Sequence, residues 1–381
     1  MKTIYLDNNA TTAVSPEVLE EMLPYLKELY ANPSSAHSFG RNLYYRMERS
    51  REIVASLIGA EPEEIIFTGC GTESDNSAII SAINFDEKKR HLITTQVEHP
   101  AILNLMKQLE RKGYKVTYLP VDRAGRLHMD AFIEALDDET AIASIMYANN
   151  ETGVIFPIKE VGAICRKRGI LFHTDAVQAA GKIPIDVKKL DVDMLSISGH
   201  KLHAPKGIGI LYVRKCCKFF PYIIGGHQEC GNRAGTENLA SIIALGKACE
   251  IALENIEIEQ HNVARLRDIL ELNLMNKCSD IFINGYDSER LSNTTSISFS
   301  NIDSEVLLHR LDKYGIFASA GSACSSGSSE PSHVLRAIGV PEIAIHGSVR
   351  FSLSRYTTEE EINKVIEIIP GIIDELRMHR N

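Results

Sequence analysis

The sequence predicts an α/β fold, with a large domain on a mainly parallel sheet and a smaller α+β domain, and three observations carry that expectation. Between about residues 60 and 215, short β-rich runs alternate with amphipathic segments opened by Pro or closed by Gly, the pattern of strands joined by crossover helices. After Gly246 the alternation gives way to a long charged helical stretch, one strand and a further helix. A chain of 381 residues is about two to three times the usual single-domain length, so a second core is expected.

Taken in order, residues 65–68 (IIFT) read as a strand that turns through Gly69-Cys70-Gly71 into a helix. Thr72 and Asp75 have the three-residue offset of a capping box at its start. Residues 91–95 form the next strand, Pro100 suits the first turn of a helix reaching residue 111, and 116–119 return as a strand. Further strands are expected at 141–147, 170–174, 194–197 and 208–213, with a helix over 158–168. A domain boundary is expected near residue 250, then a helical stretch over 247–276, a strand at 296–299 and a helix at 304–314. The Gly/Ser-rich segment 318–329 is a mobile loop by composition.

Apolar residues make up 44% and charged residues 24%, which excludes a collagen-like or wholly disordered chain. No apolar run reaches the ~18 residues of a membrane span. Asp7 interrupts the start before a signal-peptide core can form, so a cytoplasmic protein without membrane contact is expected. With 41 basic and 50 acidic residues the net charge is −9, and no basic tract accumulates, so no direct nucleic-acid partner is expected. Eight cysteines lie scattered without a CxxC pair. They read as reduced thiols, mostly packing groups, Cys216-Cys217 included, and no resident metal is expected.

Chemistry concentrates at strand ends. Lys201 follows Ser196-Ile197-Ser198-Gly199-His200 on a turn after a buried-type strand, and Asp175 closes the apolar run ending at His173-Thr174. A cofactor with a pyridine ring needs a carboxylate at its ring nitrogen and a lysine to condense with its aldehyde, and these two residues can supply both. The turn Gly69-Cys70-Gly71-Thr72 offers backbone N–H groups to a phosphate. It lacks both the dinucleotide fingerprint and the P-loop pattern, which favours a single-phosphate ligand. Arg350 can hold a carboxylate through two parallel hydrogen bonds, and a thiol on a Gly/Ser loop, Cys324, can act as a nucleophile.

Ten segments in order sharpen this reading: YLDNNATT at 5–12, NPSS at 32–35, TESDN at 72–76, EH at 98–99, NNETG at 149–153, DAVQ at 175–178, SGHK at 198–201, RAGTEN at 233–238, GSAC at 321–324 and RFS at 350–352. On them the chain resembles, over essentially its whole length, the cysteine desulfurases of the NifS/IscS class. These are pyridoxal-phosphate enzymes of fold type I (aspartate-aminotransferase-like) in the class V aminotransferase family. The resemblance implies a homodimer with a large cofactor-binding domain at 13–250 and a small domain of 1–12 and 251–381 carrying the cysteine loop. It implies pyridoxal 5'-phosphate bound covalently by Lys201, with Asp175 at the ring nitrogen, Gln178 at the ring hydroxyl, His99 stacked on the ring and Asn150 beside ring and substrate. Phosphate contacts are implied from Gly71, Thr72, Ser198 and His200, with Thr236 reaching the neighbouring subunit's cofactor.

Arg350 is implied as the substrate anchor. Lys201, Cys324 and His99 are the implied catalytic residues, Cys324 in the setting of the long-loop group and a possible transient iron–sulfur ligand. The implied reaction converts L-cysteine to L-alanine, forming a persulfide on Cys324 that passes to an iron–sulfur scaffold or another sulfur acceptor, for cluster assembly or tRNA thiolation. Alternatives are a selenocysteine lyase or an aminotransferase on the same fold, or a non-catalytic sulfur-carrier partner. Cys230 and Asn232 depart from the pattern, standing where family members commonly carry Arg.

Overall fold

A computed structural model describes residues 3–86, 88–321 and 330–378. Strand β1 (Ile4–Tyr5) belongs to a peripheral pair; the central sheet is built from β2 (Ile65–Thr68), β3 (His91–Thr95), β4 (Lys115–Leu119), β5 (Thr140–Ser144), β6 (Leu171–Asp175), β7 (Met194–Ser198) and β8 (Gly209–Val213). Their order is β2-β8-β7-β6-β5-β3-β4, with β8 antiparallel to both its neighbours and the remaining pairs parallel. The connection over 199–208 is too short for a crossover helix, so β8 can only return antiparallel beside β7.

Both faces of the sheet are covered, which is why its strands read as continuous apolar runs. The two-residue period divides them: Ile65, Phe67, Ile93, Leu195, Ile197, Ile210 and Tyr212 enter one core, and Ile66, Leu92, Met194, Leu211 and Val213 the other. The helices Gly71–Phe85 and Pro100–Arg111 supply Ala78, Ile79, Ile102 and Met106 to the second core. The helices Ser38–Ile58, Ile158–Arg168 and Leu239–Glu254 supply Leu43, Val161 and Ile242 to the first.

A third core is separate, gathering Ile4 and Leu6 with residues from Val263 to Ile373. It packs around β9 (Ile281–Ile283), β10 (Thr294–Phe299) and, beyond β11 (Ile316–Phe317), strand β12 (Ser348–Ser352), ordered β12-β10-β9 and antiparallel. Strand β11 pairs in parallel with β1. Among the described residues no helix is long and apolar enough to cross a membrane.

Several expectations need correction. Thr72 and Asp75 form no capping box: the helix begins at Gly71, no side chain caps its first turn, and Asp75 is buried. Strand β5 ends at Ser144 rather than residue 147, because Tyr147 pairs back with Phe156 (2.9 Å) as the chain turns. The helical stretch expected over 247–276 starts earlier, at Leu239, and breaks around a wide π turn at Glu259–Val263 before resuming as Ala264–Lys277. Its first turns are buried all round and so carry no amphipathic period. Strands β1, β9, β11 and β12 were not expected. The start of the expected mobile loop is tied down, since Ser319 and Arg350 exchange backbone bonds of 3.2 and 2.7 Å. The remainder, 322–329 with Cys324, lies outside the described residues.

Candidate active site

The parallel strands deliver their carboxyl ends to one place, where ligands bind in open α/β sheets. Asp175 is the last residue of β6 and Ser198 the last of β7, and the 3-10 turn Gly199–Lys201 follows directly. Gly71 and Thr72 open the helix after β2, and His99 caps the helix after β3. With Asn150, Gln178, His200 and Arg350, these residues line a cavity of about 220 Å³. Ten of the twelve expected site residues therefore meet. Thr236 is exposed and does not line the cavity, and Cys324 lies outside the described residues.

The amino-terminal segment is threaded through the cavity wall and holds the lysine. Lys201 Nζ donates to the carbonyls of Asn9 (2.5 Å) and Ala10 (2.6 Å), and Gln178 Nε2 donates to the same Asn9 carbonyl at 3.1 Å. The Asn9 amide reaches the Asn150 carbonyl (3.0 Å) and Thr294 Oγ1 (2.8 Å), tying the sheet end to β10. Arg350 on β12 is 1% exposed. Its Nη2 donates to Asp7 Oδ1 at 2.7 Å and its Nη1 to the Asn150 carbonyl at 3.1 Å, while Nε has no protein partner among the described residues. A buried arginine on the cavity wall with a donor left over suits an incoming carboxylate.

Burial tunes the titratable groups. It pushes the Asp175 carboxyl up to about 6, while the Val177 N–H bonded to it at 2.9 Å and the nearby Lys201 charge oppose that rise. Below it, burial and the Asp175 charge raise the Asp75 carboxyl well above the carboxylate range. His173 Nε2 stands 3.6 Å from Asp75 Oδ1, beyond hydrogen-bond range, and bonds instead to Ser196 Oγ at 2.9 Å. Burial pushes His173 down to about 3, so it is neutral. Burial, then Lys201 and His333, push His99 down to about 4. Its Nδ1 accepts the Ala101 N–H at 3.1 Å, so the neutral ring carries its proton on Nε2. Burial and Lys201 likewise push His200 down to about 4, with its Nδ1 3.1 Å from Thr11 Oγ1.

The wall fits a phosphorylated pyridine aldehyde on two observations. The uncapped first turn of the 15-residue helix Gly71–Phe85 offers free amides and a positive dipole end to a phosphate. A Cβ on Gly71 would stand 2.9 Å from Val177 Cγ2 and 3.3 Å from Ser198 Cβ, so only glycine lets the backbone close here. Gln178 Oε1 is buried without a partner among the described residues, on the same cavity wall as Asp175. Pyridoxal phosphate could therefore be held by Gly71, Thr72, Ser198 and His200 at its phosphate and by Asp175 and Gln178 at its ring.

Sequence reasoning placed neither Asp7, Asn9 nor Asp75 at the site, although Asn9 and Asp75 line the cavity and Asp7 pairs with Arg350 on its wall. The signal available was the polar run at 5–12, whose Asn-Asn pair follows a short strand with no loop to explain it. Cys216, expected to pack, is exposed; Cys165, Cys249 and Cys278 are buried. Cys230 and Asn232 lie off the cavity, on a turn where Glu229 and Cys230 take left-handed φ of 49° and 56°. That turn is held by the buried Glu229 carboxylate, which accepts both Arg51 nitrogens (2.7 and 2.8 Å) and the Phe67 N–H (2.9 Å).

Known proteins resemble this chain over nearly its whole length. A cysteine desulfurase of Trichormus azollae is 57% identical over 377 residues, covering 99% of this chain and 94% of the relative. A solved structure of a NifS-like protein superposes with a TM-score of 0.92 at 42% identity, covering 98% of this chain and all of the other. The structure of SspA in complex with cysteine gives a TM-score of 0.82 at 37% identity over 93% of this chain and all of the other. The aminotransferase class-V model matches residues 4–365, the span that contains every strand and every cavity residue described above, and the chain belongs to that family.

Proposed function

We propose that this chain is a pyridoxal-phosphate-dependent cysteine desulfurase that takes sulfur from L-cysteine, leaves L-alanine and carries the sulfur as a persulfide on Cys324. The observation that carries the reading is the convergence of Lys201, Asp175 and a buried Arg350 with a spare donor on one cavity. When bound, pyridoxal phosphate supplies an electrophilic carbon for the substrate amine and a ring that withdraws electrons from the substrate Cα.

The residues divide the remaining work. Asp175 is ionised near neutral pH and would keep a proton on the ring nitrogen of the bound cofactor. Arg350 binds the substrate carboxylate through Nε and a guanidinium edge already oriented by Asp7 and Asn150. Lys201, once its amine is released, takes the Cα proton at Nζ, with the Asn9 and Ala10 carbonyls steering it. His99 is neutral with its proton on Nε2, so it can stack on the ring and donate a proton without repelling Lys201. The Cys324 thiolate attacks the substrate sulfur: an S–S bond forms and the C–S bond breaks with its electron pair left on carbon; a proton added at that Cβ and the return of a proton to Cα from Lys201 Nζ complete alanine. A reduced thiol is required at the start, which suits the cytoplasm.

The finer parts of the proposal rest on separate support. A small domain of 1–12 with 251–381 against a large one of 13–250 is supported by the separate core around β9, β10 and β12. A homodimer, with Thr236 serving the neighbouring site, is supported by the exposure of Thr236 and of large apolar side chains such as Tyr30, Tyr45 and Ile224. Delivery of the sulfur to an iron–sulfur scaffold or another acceptor follows from its lability as a persulfide. The test is to incubate the holoenzyme with L-cysteine, L-selenocysteine, or L-alanine plus a 2-oxo acid, and to quantify products. Alanine and thiol-releasable sulfide from cysteine are expected. Turnover of selenocysteine alone, amino transfer alone, or no change in the cofactor's absorption would each displace the reading.

A further inference from the structure

Gly321 and Ser332, which bracket the segment holding Cys324, both come up against a single buried side chain. Glu151 is 1% exposed, and its Oε2 accepts the Ser332 hydroxyl at 2.6 Å. On the other side, a Cβ built on Gly321 would stand 3.1 Å from that same Oε2 and 3.3 Å from Ser332 Cβ. Gly321 has a φ of +71°, so glycine alone lets the chain leave in this direction against the carboxylate. A carboxyl with Oε1 buried and unpartnered among the described residues is costly, and the reaction described above gives it nothing to do.

Its position in the chain supplies the reason. Glu151 belongs to a turn fixed by Asn149, whose Oδ1 accepts the Glu151 and Thr152 N–H groups at 2.9 Å each and whose amide donates to the Val97 carbonyl at 3.0 Å. The Asn150 carbonyl in that turn accepts from Arg350. On the opposite side, His333, next to Ser332, donates from Nε2 to the Glu98 carbonyl at 2.9 Å, one residue before His99. Both ends of the stretch are thus referred to the two groups that frame the substrate.

We propose that Glu151 is a positioning residue that clasps Gly321 and Ser332 together and seats that neck against the turn bearing Asn150 and the entry to His99. The thiol carried between the two ends then starts its attack from a fixed base; this rests on the reading of Cys324 as the nucleophile. Glu151 itself touches neither substrate nor cofactor and moves no proton in the reaction.

The experiment compares holoenzymes of wild type, Glu151→Ala, Ser332→Ala and Glu151→Gln in three measurements. These are the absorption change on adding L-cysteine, the rate at which iodoacetamide alkylates Cys324 by peptide mass, and the rate of alanine formation. Both alanine variants should form alanine about tenfold more slowly, the scale of a small misplacement of a reacting group. Their absorption change and alkylation should stay within about twofold of wild type. Glu151→Gln keeps an acceptor for Ser332 and should recover most of the rate. Wild-type alanine formation in both alanine variants overturns the proposal, and so does an absorption change slowed in the same proportion, which would place the effect in the cavity or the fold. Should Glu151→Ala not fold, Ser332→Ala carries the same comparison. A wild type that binds cysteine but forms no alanine overturns the desulfurase reading itself, and this proposal with it.

Discussion

Replacing Arg350 by lysine separates charge from geometry at the substrate anchor. The guanidinium spends Nη2 on Asp7 and Nη1 on the Asn150 carbonyl, leaving Nε for a carboxylate. A lysine at this buried position keeps one positive charge beside Asp7, so the fold is retained. It cannot hold Asp7 and Asn150 and also present a planar pair of donors. The loss is one charge-assisted hydrogen bond to substrate, about 1.5 to 3 kcal/mol. At about 1.4 kcal/mol per decade that is a drop of roughly 10- to 150-fold in kcat/KM for L-cysteine. The carboxylate contact exists before and during the reaction, so most of the drop belongs in KM. Initial rates of alanine formation across cysteine concentrations, with a melting curve as control, measure it. A kcat/KM within about twofold of wild type would refute the assignment of Arg350.

Three further outcomes are expected. Lys201→Ala should fold and still bind pyridoxal phosphate through the phosphate turn but lose turnover, and borohydride should fix the cofactor's mass to the wild-type peptide holding Lys201; mass found at Lys206 instead contradicts the assignment. Gly71→Ala places a methyl 2.9 Å from Val177 Cγ2, an overpacking of about 1 to 3 kcal/mol, so the cofactor should leave faster on dialysis, with unchanged retention counting against the phosphate turn. Burial pushes Glu98 up to about 8, despite its bonds from Met146 and Thr95. Its folded-state pKa lies above the unfolded value, so the native state holds the proton and stability falls as pH rises from about 4.5 through about 8. Glu98→Gln removes that slope: its melting temperature should gain on wild type steadily from pH 5 to 8, and a constant offset would contradict the shift.

The sheet was legible because its strands are buried on both faces and separated by helices with Pro at the start or Gly at the end. The 65–68 and 91–95 strands and the 100–111 and 158–168 helices fall where the pattern puts them. The short strands β1, β9 and β11 were not legible, since two or three residues carry no period, and β12 reads as a polar mixture because Arg350 lines the cavity. Ten of the site residues could be brought together from motif order, because strand ends collect what lies just beyond them. Asp7 and Asn9 escaped because their partners, Arg350 and Lys201, are 343 and 192 residues away. Asp75 was misread as a cap because an acid three residues into a helix looks the same whether it faces the backbone or the core.

The central claim is that Lys201 and the cofactor activate cysteine while Cys324 removes its sulfur. The direct measurement mixes wild type and Cys324→Ser holoenzymes with excess L-cysteine, follows the cofactor's absorption, quantifies alanine and maps persulfide by peptide mass. Wild type should show all three signals with the added sulfur on Cys324. Cys324→Ser should show the absorption change alone, because a serine hydroxyl supplies almost no alkoxide near neutral pH. Alanine formed at the wild-type rate by Cys324→Ser, or a wild-type persulfide found on the exposed Cys230, would contradict the account.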